Sequence, residues 1–462
     1  EIGCNAFSTG TVPVFTESKT MRRIKGAKAA IEYLTVSRNA STTLSKEAKQ
    51  RILEVFDTEL TVTQVVERII TQVRLNGDSA IRSLSSQFDG ITLDVIELSS
   101  SEISKSLARV ESDTVLALEK AAARIWAFQE SAKPKAWSDP SKGYGELVIP
   151  LDRVGVYVPG GSAPLASTVL MTTVPARVAG VREVVICTPP SYEDLPHPTL
   201  IAAAHVAEVD RVFKIGGAQA IAAMSYGTES VPSVDMVCGP GNAFVTEAKR
   251  QVFGSVGIDG LYGPTETLIV ADHTADPEYC AADLLAQAEH DVMATPLLVV
   301  TSDQIADKVE RAIERRLDKL PRRIIAGQAV RQNGLIVVVD TVLEAIDVSD
   351  AFAPEHLCLV VDRASEYIPK VRSAGGLFIG DFSAEVIGDY AAGPSHVMPT
   401  GGTARFASAL SVRNFVRNTP ILNLDERNFV DLAPVASLLA REEGLDAHAE
   451  AASDRLRNMV GE

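Results

Sequence analysis

From about residue 145 onward, one rhythm recurs nine times: a short apolar run, then a longer amphipathic or loop segment. The runs lie at 154–158, 184–188, 211–215, 234–237, 267–271, 297–301, 335–339, 357–361 and 377–379. Alanine-rich stretches such as STVLMTTVPARVAGV and PTLIAAAHVAEV separate many of them. Short apolar runs read as buried strands, and the stretches between them as helices. Strand alternating with helix means βαβ units and a mainly parallel sheet. Nine runs are many for one sheet, so the pattern predicts an α/β protein with two domains. Residues 21 to about 130 read mostly helical, with Asn76-Gly77 as a stop inside LTVTQVVERIITQVRLNGDSAIRSLSSQFDG. The last fifty residues read helical again.

Composition narrows the function. The chain has 462 residues and a formal net charge of -16, which argues against a nucleic-acid partner, because phosphates call for a basic footprint. No stretch carries the ~18 uninterrupted apolar residues of a membrane-spanning helix. The first twenty residues lack a basic start and an apolar core, so they do not read as a signal peptide. The regular pattern begins at MRRIKGAKAAIEYL. Residues 1–20 therefore read as an extension or a remnant of cloning, with Met21 close to the natural start. The five cysteines, Cys4, Cys187, Cys238, Cys280 and Cys358, show no CxxC spacing. They read as reduced thiols of a cytoplasmic protein, not as a disulfide frame or a cysteine zinc site.

Ligands of open α/β sheets sit at the carboxyl ends of strands. Three such ends carry glycine-rich turns: YVPGGSAP, IGGAQAIAA and CGPGNAF. Glycine lets the backbone approach a ligand, and the helix that follows offers free N–H groups to an anion such as a pyrophosphate. Tight strand-to-helix turns need glycine anyway, and neither GxGxxG nor GxxxxGK is present. Among the seven histidines, His290, His356, His396 and His448 keep polar company. Gln287 precedes His290 by three residues, which would place both on one helix face. A lone histidine is more often structural than a ligand. Nitrogen and oxygen donors from separate segments could still assemble a zinc site.

FAPEHLCLVV sets an acid and an imidazole, Glu355 and His356, at the mouth of an apolar run. Adjacent residues on a regular strand point to opposite faces. The two can share one site only if they lie on the loop before the strand. Pro354 favours that loop, since it restricts Ala353 and removes a backbone donor.

RVGVYVPGG, IGGAQAIAA, CGPGNAFVTEAKRQVFG, GIDGLYGPTETLIVAD, DLLAQAEHD, FAPEHL, GDYAAGPSHVMPTGGTARFAS and EGLDAH occur here in that order. In this the chain resembles the histidinol dehydrogenase family over nearly everything after Met21. The resemblance implies two incomplete Rossmann-like domains with parallel sheets, a helical N-terminal arm (21–52) and a C-terminal helical tail (409–462). The first domain would comprise 53–156 and 266–408, and the second, NAD-binding, 157–265. It implies a homodimer whose tail reaches the partner's active site. The activity would be oxidation of L-histidinol to L-histidine, through the aldehyde, with two NAD. One zinc per subunit would be held at the positions of Gln287, His290, Asp389 and His448. NAD contacts would be Tyr157, Gln219 and Asn242. Substrate contacts would be Thr265, His356, His396 and Glu443, together with the metal-site residues, and the catalytic pair Glu355 and His356. Thr265 stands where many members carry serine, which keeps the hydroxyl and adds a methyl. Relatives that oxidise another polar alcohol, such as a dihydroxypropane sulfonate, are the alternative.

Alcohol oxidation needs a base as hydride leaves, and histidine is suited to it near neutral pH. The second oxidation needs a hydrated aldehyde, whose water a carboxylate can activate. His356 is therefore expected as the base of the alcohol step, and Glu355 as the group that activates water. A cysteine nucleophile, Cys238 or Cys358, is the rival route.

Overall fold

The computed structural model describes residues 21–37, 46–160, 164–190 and 195–460. The expected extension at 1–20, with Cys4, lies outside the described residues, as do Gly161, Ser162 and Ala163 of the first glycine-rich turn.

Among the described residues fourteen strands are formed: β1 (Arg22–Lys25), β2 (Trp137–Asp139), β3 (Tyr144–Pro150), β4 (Arg153–Tyr157), β5 (Glu183–Cys187), β6 (Arg211–Phe213), β7 (Met236–Cys238), β8 (Gly257–Ile258), β9 (Glu266–Ala271), β10 (Thr295–Val300), β11 (Leu335–Val338), β12 (His356–Val360), β13 (Gly376–Ile379) and β14 (Val416–Leu422). One parallel sheet has the order β6-β5-β4-β7-β8. A second has the order β1-β11-β10-β9-β12-β13 and is also parallel throughout. A small antiparallel sheet runs β14-β3-β2.

Both parallel sheets are covered on two faces, which is why their strands read as unbroken apolar runs. Side chains alternate between the covers. Val184 and Ile186 enter one core of the five-stranded sheet, and Val185 and Cys187 the other. Leu268 and Val270 divide from Ile269 and Ala271 in the same way on the six-stranded sheet. All nine apolar runs fall on strands of these two sheets.

The expected boundaries need correction in three places. The arm at 21–52 is not wholly helical. RRIK pairs in register with β11 as an edge strand, and Ala30 and Leu34 of the helix after it pack beneath the six-stranded sheet. The helices of 53–156 cover the five-stranded sheet rather than the six-stranded sheet of 266–408. Val65, Ile69 and Ile81 of the helix Val62–Asp89 enter one core of the five-stranded sheet. Leu118 and Ile125 of the helix Ser112–Ala132 enter the other. The tail, in turn, is not helical from its start. β14 pairs with β3 along seven residues, and the helices Glu426–Glu442 and Asp446–Val460 come after it.

The expected stop at Asn76-Gly77 is a kink instead. Gly77 leaves helical geometry at φ 50, ψ -131, and the helix resumes because the Glu229 carboxylate accepts the Asp78 N–H at 2.7 Å.

Phe415 is fully buried where β14 joins the core of the five-stranded sheet. Phe415→Ala should lower the unfolding free energy by about 3–5 kcal/mol. Leu422→Ala, at a side chain 73% exposed, should stay within about 0.5 kcal/mol of wild type. Thermal melting of both variants checks this; equal falls would contradict the placement of Phe415.

Candidate active site

β12 begins at His356, so the acid lies just before the strand and the imidazole is its first residue. The expectation that both sit on the loop is corrected by one residue. They still converge, with Glu355 Oε2 3.6 Å from His356 Nδ1. The chain turns sharply before them. Ala353 ends the helix Val342–Phe352 in the left-handed region at φ 49, and Pro354 follows.

Glu355 Oε2 accepts the Thr265 hydroxyl at 2.7 Å and the Glu266 N–H at 3.0 Å. Thr265 Oγ1 also lies 2.9 Å from Gln287 Oε1. One hydroxyl proton cannot serve two acceptors. A turned Gln287 amide resolves this, its NH2 donating to Thr265 while Thr265 donates to Glu355. Burial pushes the Glu355 carboxyl up, against the opposing pull of the His356 charge.

His356 is 3% exposed. Its Nδ1 lies 3.1 Å from the Glu266 carbonyl and its Nε2 3.2 Å from Asp389 Oδ1. Its ring stacks on Phe378 at 5.7 Å. Burial works to lower its pKa, but the carboxylates of Glu355, Asp389 and Glu385 outweigh this and push it up to about 10. An imidazolium donates from both nitrogens and satisfies both acceptors. The three carboxylates thus favour the protonated ring.

Asp389 is on the helix Glu385–Tyr390. Burial opposes its ionisation, yet His356, His396 and His290 together hold its carboxyl below the usual range. His396 Nδ1 lies 2.8 Å from the Asp389 carbonyl, and Nε2 3.2 Å from Thr168 Oγ1. Burial lowers the pKa of both His290 and His396, against the opposing pull of Asp389. His290 is not on one helix face with Gln287. The helix Pro277–Ala288 has ended, and His290 lies in the turn after it, its N–H on the Gln287 carbonyl at 3.1 Å.

Seven expected residues are thus brought together: Thr265, Gln287, His290, Glu355, His356, Asp389 and His396. Glu443 and His448 are not among them. Both are exposed on the tail of their own chain. The expected NAD residues line the carboxyl edge of the five-stranded sheet. Tyr157 is buried with its hydroxyl accepting the Gly217 N–H at 3.1 Å. Gln219 Nε2 reaches Asp89 Oδ2 at 3.5 Å. Asn242 is exposed and caps the helix Ala243–Val252, accepting the N–H groups of Phe244 and Val245.

Thr168, Glu266, Phe378 and Glu385 were not legible as site residues. Glu266 was the nearest to legible, since it follows Thr265 in GPTET. Glu385 is fully buried and accepts the Cys358 thiol at 3.0 Å. Burial pushes the Cys358 and Cys238 thiols far up, which removes the thiolate a nucleophile needs.

A buried acid/base pair beside a parallel sheet with a glycine-rich carboxyl edge defines an α/β enzyme of the dehydrogenase class. The family model for histidinol dehydrogenase matches residues 54–456. The histidinol dehydrogenase of Dehalococcoides mccartyi strain CBDB1 is 47% identical over 395 residues, 85% of this chain and 90% of that one. That of Deinococcus radiodurans is 47% identical over 411 residues, 88% and 94% of the two chains. The crystal structure of histidinol dehydrogenase from Elizabethkingia anophelis superposes with a TM-score of 0.88 at 33% identity, covering 95% of this chain and 98% of that one. The chain belongs to the histidinol dehydrogenase family and is an NAD-dependent oxidoreductase.

Cys358→Ser and Cys238→Ser should each retain turnover within about threefold, because neither sulfur is a competent nucleophile. Steady-state assay of each variant tests this; loss of a covalent route would instead abolish product.

Proposed function

We propose that this chain oxidises L-histidinol to L-histidine through the aldehyde, with two NAD and a zinc ion, as a homodimer whose tails complete each other's sites. The observation that carries this reading is the buried convergence of Glu355, His356, Asp389, Gln287 and His290 on one spot.

The donor set fits zinc. His290, whose neutral form burial favours, lies beside the ionised Asp389, and Gln287 presents a carbonyl oxygen at the same place. Among the described residues of one chain, no three His, Cys, Asp or Glu groups converge for a metal. Gln287, His290 and Asp389 supply three donors, only two of that kind, so a fourth must come from outside the chain's own core. His448, exposed on the tail, is that residue in a partner subunit. Such an ion would orient and polarise the substrate's amine, imidazole and hydroxyl. Charge placed on Asp389 would also loosen its hold on the His356 proton.

Each oxidation moves a hydride from carbon to NAD, which is what that cofactor supplies. His356 takes the alcohol proton in the first step, once its own Nε2 proton has gone to solvent. Glu355, ionised, takes a proton from the water that adds to the aldehyde carbon, and the carbonyl oxygen takes the proton that His356 gained in the first step. The resulting gem-diol has the hydrogen needed for the second hydride transfer. Thr265 holds Glu355 in place, and His396, fixed by Thr168, faces the substrate's polar end. Tyr157, Gln219 and Asn242 form the seat of NAD at the opposite edge, and Glu443 joins the substrate from the partner's tail.

The tail supports the dimer. Leu432, Val435, Leu438 and Leu439 of the helix Glu426–Glu442 are 45–59% exposed. An apolar stripe of that kind calls for a covering surface. No helix among the described residues is long and apolar enough to cross a membrane.

Glu355→Gln should slow aldehyde oxidation by roughly 10²–10⁴-fold and alcohol oxidation much less. Half-reactions started from histidinol and from histidinal measure the two; equal losses would sink this division of labour. Two NADH per histidinol, with histidine as product, is the stoichiometry expected. Leu438→Asp combined with Leu439→Asp should yield a monomer by sedimentation and abolish turnover. An active monomer would refute the shared site.

A further inference from the structure

Asp259 lies where the chain leaves β8 for β9, crossing from one parallel sheet to the other. Its carboxylate is fully buried and ion-paired with Lys249, whose side chain is 2% exposed. Lys249 is on the helix Ala243–Val252, the helix that Asn242 caps.

The pair reaches into both neighbouring segments. Asp259 Oδ2 accepts the Gly239 N–H at 2.7 Å, and Oδ1 accepts the Gly260 N–H at 2.9 Å. Lys249 Nζ donates to the Gly239 carbonyl at 3.0 Å and lies 4.7 Å above the Tyr262 ring. Both polar groups of the Gly239 peptide are therefore taken by the ion pair. Gly239 holds φ +109, and a Cβ there would collide with the Tyr157 carbonyl oxygen. No other residue type would keep the turn, and its shape is set from behind by Lys249 and Asp259. On the other side, Thr246 Oγ1 of the same helix donates to the Tyr262 carbonyl at 2.9 Å. The Gly263 N–H is held by Thr400 Oγ1 at 2.6 Å, and Thr265 then bonds Glu355.

A buried ion pair is weak evidence of stabilisation, since an apolar pair of similar volume often does as well. Its value here is geometric. We propose that Lys249 and Asp259 are positioning residues: their ion pair locks the 239–242 turn to the 259–265 segment, so that the cofactor's seat and the substrate's seat are held as one piece. The kinetic side of this rests on the function proposed above; the structural side does not.

Amide hydrogen exchange reads the structural side. In the wild-type protein, amides of 239–242 and 260–265 should open together, with one shared response to added denaturant. Separate responses would overturn the proposal, and no variant is needed to see them. Removing both charges in Lys249→Met with Asp259→Asn avoids leaving one buried charge unpaired. In that double variant both segments should exchange about tenfold faster or more while β9 and β12 keep their rates, and KM for NAD should rise about tenfold with zinc content unchanged. Exchange in both segments and KM for NAD as in wild type would overturn it, and so would loosening of one segment alone. If wild-type enzyme failed to reduce NAD with histidinol, the proposed function would fall, while the exchange result would still decide the lock.

Discussion

The site depends on a charge balance around one buried ring. His356 has almost no contact with solvent, and three carboxylates act on it. A buried charge without a partner is costly, and a buried carboxylate is no cheaper than a buried imidazolium. Each keeps the other ionised. Asp389 is held ionised chiefly by its bond to the His356 ring, and His356 is pulled toward its charged form by Glu355 and Asp389. Taking away any one of these groups therefore changes the protonation of the others. It follows that Glu355 and His356 cannot be treated as two independent titrating residues.

This balance is built where two sheet edges of opposite polarity meet. Tyr157, the IGGAQ turn and the GPGN turn lie at the carboxyl edge of the five-stranded sheet. Thr265, Glu266, Glu355 and His356 lie at the amino edge of the six-stranded sheet. The contact of Thr168 with His396 joins the two sides. Ligands of open α/β sheets usually bind at carboxyl ends, next to a reversal of strand order. The five-stranded sheet follows that rule, with its reversal between β4 and β7. The six-stranded sheet does not, since it offers its amino edge to the same cleft. A strand's first residue is held by the sheet but faces the loop, which gives Glu355 and His356 a rigid mount and an open side.

Much of this could be read from residues alone, and the failures have physical causes. The nine apolar runs became strands because parallel strands covered on both faces leave a continuous apolar signature. RRIK escaped notice because an edge strand buries little, and only Ile24 of the four reaches the core. β14 is largely exposed and β3 mostly half-buried, so this ribbon lacks the pattern that marked the others. Helices in the first third of the chain were legible as helices, but not which sheet they would cover. That choice is made by tertiary packing. FAPEHL raised Glu355 and His356 as candidates, but a polar loop edge reads the same locally, and only the other family segments set them apart. Thr168 could not be raised in this way: its role comes from one contact with a residue far along the chain.

Glu443 and His448 fail to meet the site in their own chain for a different reason. Their helices carry an exposed apolar stripe and pack chiefly on each other, with β14 as the tether to the body. A hairpin of that composition is unfinished as a free surface. The core site is unfinished in the complementary sense, with three donors from Gln287, His290 and Asp389 and none to close the set. Under the proposed function, a fold that needs cover for an apolar arm and a fourth donor for a polar cluster would meet both needs by exchanging arms between identical subunits. On this reading assembly and catalysis are one event, because the residues that finish the site ride on the element that makes the dimer.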